Sequence, residues 1–108
     1  MKLNYRMFRE IARKERQIME LDWVNIIDEK SAELIETADY LWDHAEPAFL
    51  EFRSAERLCT VLAREGFTVK RGLAGIRTAF SASYGSGKPV IGILGEFDAL
   101  EKLGQKAG

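Results

Sequence analysis

The first 46 residues of this chain contain neither proline nor glycine, and Pro47 is the first residue of either kind. An opening of that length without a breaker favours helix wherever apolar residues recur at helical spacing. Phe8, Ile11, Ala12, Ile18 and Met19 recur in that way, although Lys14 and Glu15 interrupt the stripe. A second stripe of Ile27, Leu34, Ile35, Ala38, Leu41 and Trp42 is cleaner. It predicts a second helix, with a break from the first near residues 22–28 and Asn25 or Asp28 as its cap. Pro47 disfavours helical geometry at Glu46, so this helix should stop shortly before it.

A third helix is expected over residues 51–65. Phe52, Ala55, Leu58, Cys59 and Leu62 form its buried stripe, and Gly66 stands where a left-handed C-terminal residue is wanted. Cys59 lies in that stripe and reads as a small buried hydrophobe rather than a reactive thiol. After Gly66 the period changes to two. Residues 67–70 read as a short strand, Gly72 and Gly75 bracket a turn, and residues 76–84 alternate as a second strand. Residues 85–88 form a turn, and Pro89 opens the next strand. Residues 90–95, Val-Ile-Gly-Ile-Leu-Gly, are apolar at every non-glycine position. That pattern suits a central strand covered on both faces. The fold class expected is α/β, with N-terminal helices followed by β-strands.

Composition narrows the partners. A net charge of −1 gives no reason to expect nucleic acid or a membrane. Residues 1–20 carry six basic side chains (Lys2, Arg6, Arg9, Arg13, Lys14, Arg16) against Glu10, Glu15 and Glu20. This basic arm is expected over residues 1–24, with residues 25–108 as a second region, and a solvated helix face is its simplest reading. One cysteine provides no internal disulfide framework. No apolar run reaches the roughly 20 residues of a membrane span. The expected location is the cytoplasm.

The final apolar strand runs into Gly95-Glu96-Phe97-Asp98-Ala99-Leu100. In open α/β sheets, functional groups collect at the carboxyl ends of strands. The i, i+2 spacing of Glu96 and Asp98 puts both carboxylates on one side of an extended chain, suited to a divalent metal or to orienting a ligand of one. Acids after a strand also serve as helix caps, so the pair alone does not decide.

Two passages carry a family resemblance. Leu41-Trp42-Asp43-His44-Ala45-Glu46-Pro47-Ala48-Phe49-Leu50-Glu51-Phe52-Arg53-Ser54 resembles the early helix-to-helix passage of zinc-dependent amidohydrolases of the aminoacylase/carboxypeptidase-G type. The strand exit Gly92-Ile93-Leu94-Gly95-Glu96-Phe97-Asp98-Ala99-Leu100 resembles the segment that enters that family's active site, and is most similar to the p-aminobenzoyl-glutamate hydrolase branch. Together they cover about residues 28–104.

The resemblance implies the opening part of a zinc-peptidase-like catalytic domain. It also implies cleavage of an amide between an acyl or aroyl group and an amino acid, with a small N-acyl or N-aroyl amino acid as substrate. In such chemistry zinc or a similar ion polarises the carbonyl and activates its bound water. Asp98 matches the acid that supports the metal site, and Glu96 stands where some branches place a histidine ligand. Glu101 departs from the family by following Leu100 where a proline is usual. Pro47 and Ala48 depart as well.

A catalytic zinc needs about three protein ligands. His44 is the only histidine and reads as structural. The expectation is therefore an amidohydrolase segment that binds no metal and is inactive by itself. The alternative is a non-catalytic helical–β binding or assembly module derived from the same fold. Self-association, through strand pairing or through the N-terminal helix, is expected of a segment whose central strand lacks its partners.

Overall fold

The computed structural model describes residues 5–104, apart from the side chains of residues 5–8 and 18–21. Lys2 and the side chains of Arg6, Phe8, Ile18, Met19 and Glu20, named above, therefore lie outside the described residues. Helices come first and a two-stranded antiparallel sheet follows, as the change of period predicts. The elements are α1 (Tyr5–Asp43), α2 (Phe52–Arg64), β1 (Thr68–Arg71) and β2 (Phe80–Ser83). Two compact units divide the chain, one running up to Ile35 and the other starting at Glu36.

The expected break near residues 22–28 is absent, and α1 is one continuous helix of 39 residues. Nothing in that stretch interrupts the backbone ladder, because it holds no proline or glycine. Asn25 and Asp28 accordingly sit mid-helix rather than at a cap. No described helix is long and apolar enough to cross a membrane.

The second unit is built around α2. Its inward face buries Ser54, Ala55 and Cys59, with Leu58 and Leu62 half-buried. Gly66 ends it as expected, at φ +87°. The Gly66 N–H donates to the Ala63 carbonyl and the Phe67 N–H to the Leu62 carbonyl. This is the reciprocal closure that satisfies the orphan carbonyls of a last turn. The ladder then pairs Thr68 with Ser83, Val69 with Ala82, Lys70 with Ser81 and Arg71 with Phe80. Val69, Phe80 and Ala82 are half-buried while Thr68, Ser81 and Ser83 are exposed, so one face of the ladder turns inward. Contacts join α2 to both strands.

The second strand is shorter than expected. Residues 76–79 belong to the connection, where the Gly72 N–H closes the loop on the Ala79 carbonyl at 2.8 Å. The connection needs left-handed backbone at Gly72 (φ +70°) and at Ala74 (φ +52°). A larger correction concerns residues 90–95, which form no strand. Val90, Ile91, Ile93 and Leu94 are 82–95% exposed. Among the described residues the sheet is limited to β1 and β2, and no strand lies beside this run to take its hydrogen bonds.

Candidate functional site

The strand-exit residues alternate along the chain. Glu96 and Asp98 are exposed, and the intervening Phe97 and the following Ala99 are half-buried. The period-two argument thus describes this segment even without a sheet: both acids face solvent and their neighbours face the protein. Two contacts hold it there. Phe97 packs against Phe80 at the start of β2, with ring centroids 5.8 Å apart. The Ala99 N–H donates to the Glu46 carbonyl at 2.8 Å.

Glu46 also organises the start of α2. Its carboxylate accepts from the Arg53 N–H (3.0 and 3.1 Å to its two oxygens) and from the Ser54 N–H (2.9 Å). These are the second and third amides of a helix whose own N-cap residue, Glu51, makes no side-chain cap bond. Partial burial alone would raise the Glu46 carboxyl, but the Ser54 and Arg53 amides outweigh it and hold the group below the ordinary glutamate range. Glu51, 8% exposed, lies close by. Desolvation pushes its carboxyl up, and the Thr78 hydroxyl with the Glu51 and Phe49 amides brings it down to a net lowering. One of its oxygens, Oε2, has no partner.

The remaining donors of a metal do not converge on the acids. The His44 Nδ1 lies 2.8 Å from the Tyr40 carbonyl, and its ring stacks on Tyr40 at 4.1 Å. A carbonyl only accepts, so Nδ1 carries the hydrogen in that bond. Cys59 is 1% exposed, and burial pushes its thiol up. Among the described residues no group of three or more His, Cys, Asp or Glu could hold a metal ion. The donors present do not fit a complete zinc centre.

An unforeseen feature is an open groove alongside α2. Arg53, Arg57, Arg71 and Arg77 line it together with Tyr40 and Phe52. Arg57 pairs with Glu36 at 2.9 Å, and Arg71 pairs with Glu56. The Arg77 guanidinium lies 4.8 Å from the centre of the Phe52 ring, and that of Arg57 lies 5.4 Å from Tyr40. The i, i+4 spacing of Arg53 and Arg57 was visible in the sequence, but the approach of Arg71 and Arg77 depends on the fold.

Over 71 residues the chain is 56% identical to one of the subunits of p-aminobenzoyl-glutamate hydrolase from Escherichia coli (strain K12). The matched stretch is 66% of this chain and 15% of that relative's length. No family model and no solved structure matches the chain. Residues 5–104 thus combine a helical–β segment similar to part of a hydrolase subunit with two outward-facing acids and no assembled metal centre.

Proposed function

We propose that this chain is the N-terminal segment of a metal-dependent amidohydrolase that cleaves the amide between an acyl or aroyl group and an amino acid. A substrate of the p-aminobenzoyl-glutamate kind fits this reading, and the segment is inactive by itself. The observation that carries it is the 56% identity over 71 residues to a p-aminobenzoyl-glutamate hydrolase subunit. In this reading Asp98 orients the metal site of the complete enzyme and Glu96 stands at its edge. Their outward-facing, adjacent positions are compatible with those roles. Zinc or another divalent ion belongs to the complete enzyme, and its further ligands come from beyond the described residues. The apolar, uncovered run at residues 90–94 supports the idea of a segment, since its composition suits the interior of a larger sheet. The single buried, unpaired cysteine supports a reducing, cytoplasmic setting.

Calorimetric titration of the 108-residue chain with zinc, alongside an assay for p-aminobenzoyl-glutamate hydrolysis, tests the segment claim. The expected result is no tight one-site binding and no turnover. Stoichiometric zinc binding accompanied by hydrolysis would overturn it. The second reading, an assembly module, is favoured by the uncovered apolar residues of α1.

A further inference from the structure

We propose that the open groove alongside α2 is a binding site for a small dicarboxylate, whose two carboxylates pair with Arg53 and Arg77. This inference does not depend on the hydrolase reading. The groove has a volume of about 630 Å³, within the range of small-molecule sites. The charged side chains that line it are Arg53, Arg57, Arg71 and Arg77 against Glu56, which is 4 − 1 = +3. Glu36 pairs with Arg57 and lowers the sum to +2. Glu46 acts on Arg53 through space and lowers it to +1, but its oxygens are already held by the Arg53 and Ser54 amides. Cations in surplus within one groove repel one another until an anion enters.

The arginines differ in what they have left to bind. Arg57 and Arg71 have carboxylate partners of their own, Glu36 and Glu56. Among the described residues Arg53 and Arg77 form no ion pair. Both stand at Phe52: Arg53 follows it in α2, and the Arg77 guanidinium lies 4.8 Å from the centre of its ring. The backbone at both positions is fixed. The Arg53 amide is tied to Glu46. Arg77 belongs to a connection in which the Gly72 and Ile76 N–H groups donate to the Ala79 and Leu73 carbonyls, and its neighbour Thr78 is 4% exposed. A guanidinium set over a ring keeps N–H donors for a carboxylate, which its planar fork holds through two parallel bonds. Two such groups without partners suit two carboxylates on one ligand, and the exposed Phe52 ring offers an apolar surface to the carbon chain between them. A long acidic peptide would run on past Glu56 and Glu36, so a ligand confined to the Phe52 end is favoured.

Calorimetric titration of the whole chain with glutarate, at ionic strength held constant with sodium chloride, tests this. The expected result is saturable one-site binding with a dissociation constant of about 0.1–1 mM, and acetate weaker by about tenfold or more. The Arg53 and Arg77 Nε–H signals should move in NMR spectra of the same titration. Arg53→Gln and Arg77→Gln should each weaken glutarate binding by about tenfold. Lys88→Gln, which removes a positive charge outside the groove, should leave it unchanged. All three side chains are exposed, and far-UV circular dichroism checks that the fold survives each change. No saturation by about 10 mM glutarate would overturn the proposal, as would an affinity indifferent to both arginine changes. Inorganic phosphate binding as tightly as glutarate would rule out recognition of paired carboxylates. A hexaglutamate peptide binding tighter than glutarate by about tenfold or more would replace the small ligand with an acidic partner chain.

Discussion

Glu46 is the residue through which the start of α2 is most open to test. Its carboxylate takes three hydrogen bonds from the Arg53 and Ser54 amides, and the N-cap residue, Glu51, makes no side-chain cap bond there. Replacing a capping acceptor by alanine costs about 0.5–2 kcal/mol. Loss of a negative charge beside a helix N-terminus adds about 0.3–1 kcal/mol. Ser54 is 1% exposed, so its amide has little access to water as a replacement partner. Glu46→Ala should therefore destabilise the second unit by about 1–2 kcal/mol at pH 7. For a folding unit of this size that lowers the melting temperature by roughly 5–15 °C. Glu46→Gln keeps an acceptor oxygen and should lose about half as much.

The pH dependence has a definite sign. The folded-state value of Glu46 is lowered, so its contribution is present above the ordinary glutamate range and is lost as pH falls through the lowered value. The gap between wild type and Glu46→Ala should thus shrink under acid conditions. Urea unfolding followed by circular dichroism measures the energy, and amide exchange at Arg53 and Ser54 locates it. Unchanged stability at pH 7, or a penalty as large in acid as at neutrality, would refute the capping argument.

Three further outcomes follow from the same geometry. Thr78→Val removes the hydroxyl that faces the buried Glu51 carboxylate and should cost about 1–3 kcal/mol in urea unfolding, with the Glu51 carboxyl titrating higher by NMR. Gly66→Ala forces a Cβ into left-handed backbone at the end of α2 and should cost about 1–2 kcal/mol, although the nearest atom it meets, on the Tyr84 ring, is at an ordinary 3.5 Å. The Cys59 thiol is buried with its titration pushed up, so a thiol reagent should modify it slowly in the native chain and rapidly in denaturant.

What the sequence made legible was local. The terminal glycine of α2 and most of its stripe are set by spacing within one helix: Ala55 and Cys59 are buried and Leu58 and Leu62 half-buried, whereas Phe52, expected in the stripe, is exposed at the first turn. Glu96 and Asp98 are both exposed with the half-buried Phe97 between them, an alternation of the kind an extended chain gives, although no sheet forms there. The break expected in α1 misread Asn25 and Asp28 as cap residues. Ala12, Trp23, Ile27, Leu34 and Leu41 keep one helical phase across that point, and no breaker opposes continuity.

The features that escaped sequence reading depend on the chain folding back. Glu46 reaches amides seven and eight residues on, across a turn that contains Phe49 at φ +67°. The arginine groove joins α2 to residues 71 and 77 through the packing of helix on ladder. Residues 90–95 have the composition of a buried strand, but a strand exists only where a neighbour supplies the other half of the ladder.

The most direct measurement is hydrolysis by a chimera in which this chain replaces the corresponding segment of the Escherichia coli relative. With divalent metal present, the chimera should cleave p-aminobenzoyl-glutamate, and Asp98→Ala within it should lower kcat/KM by about 10²-fold if that side chain orients the metal site. A folded, metal-loaded chimera with no turnover, or one unaffected by loss of the Asp98 carboxylate, would contradict the account.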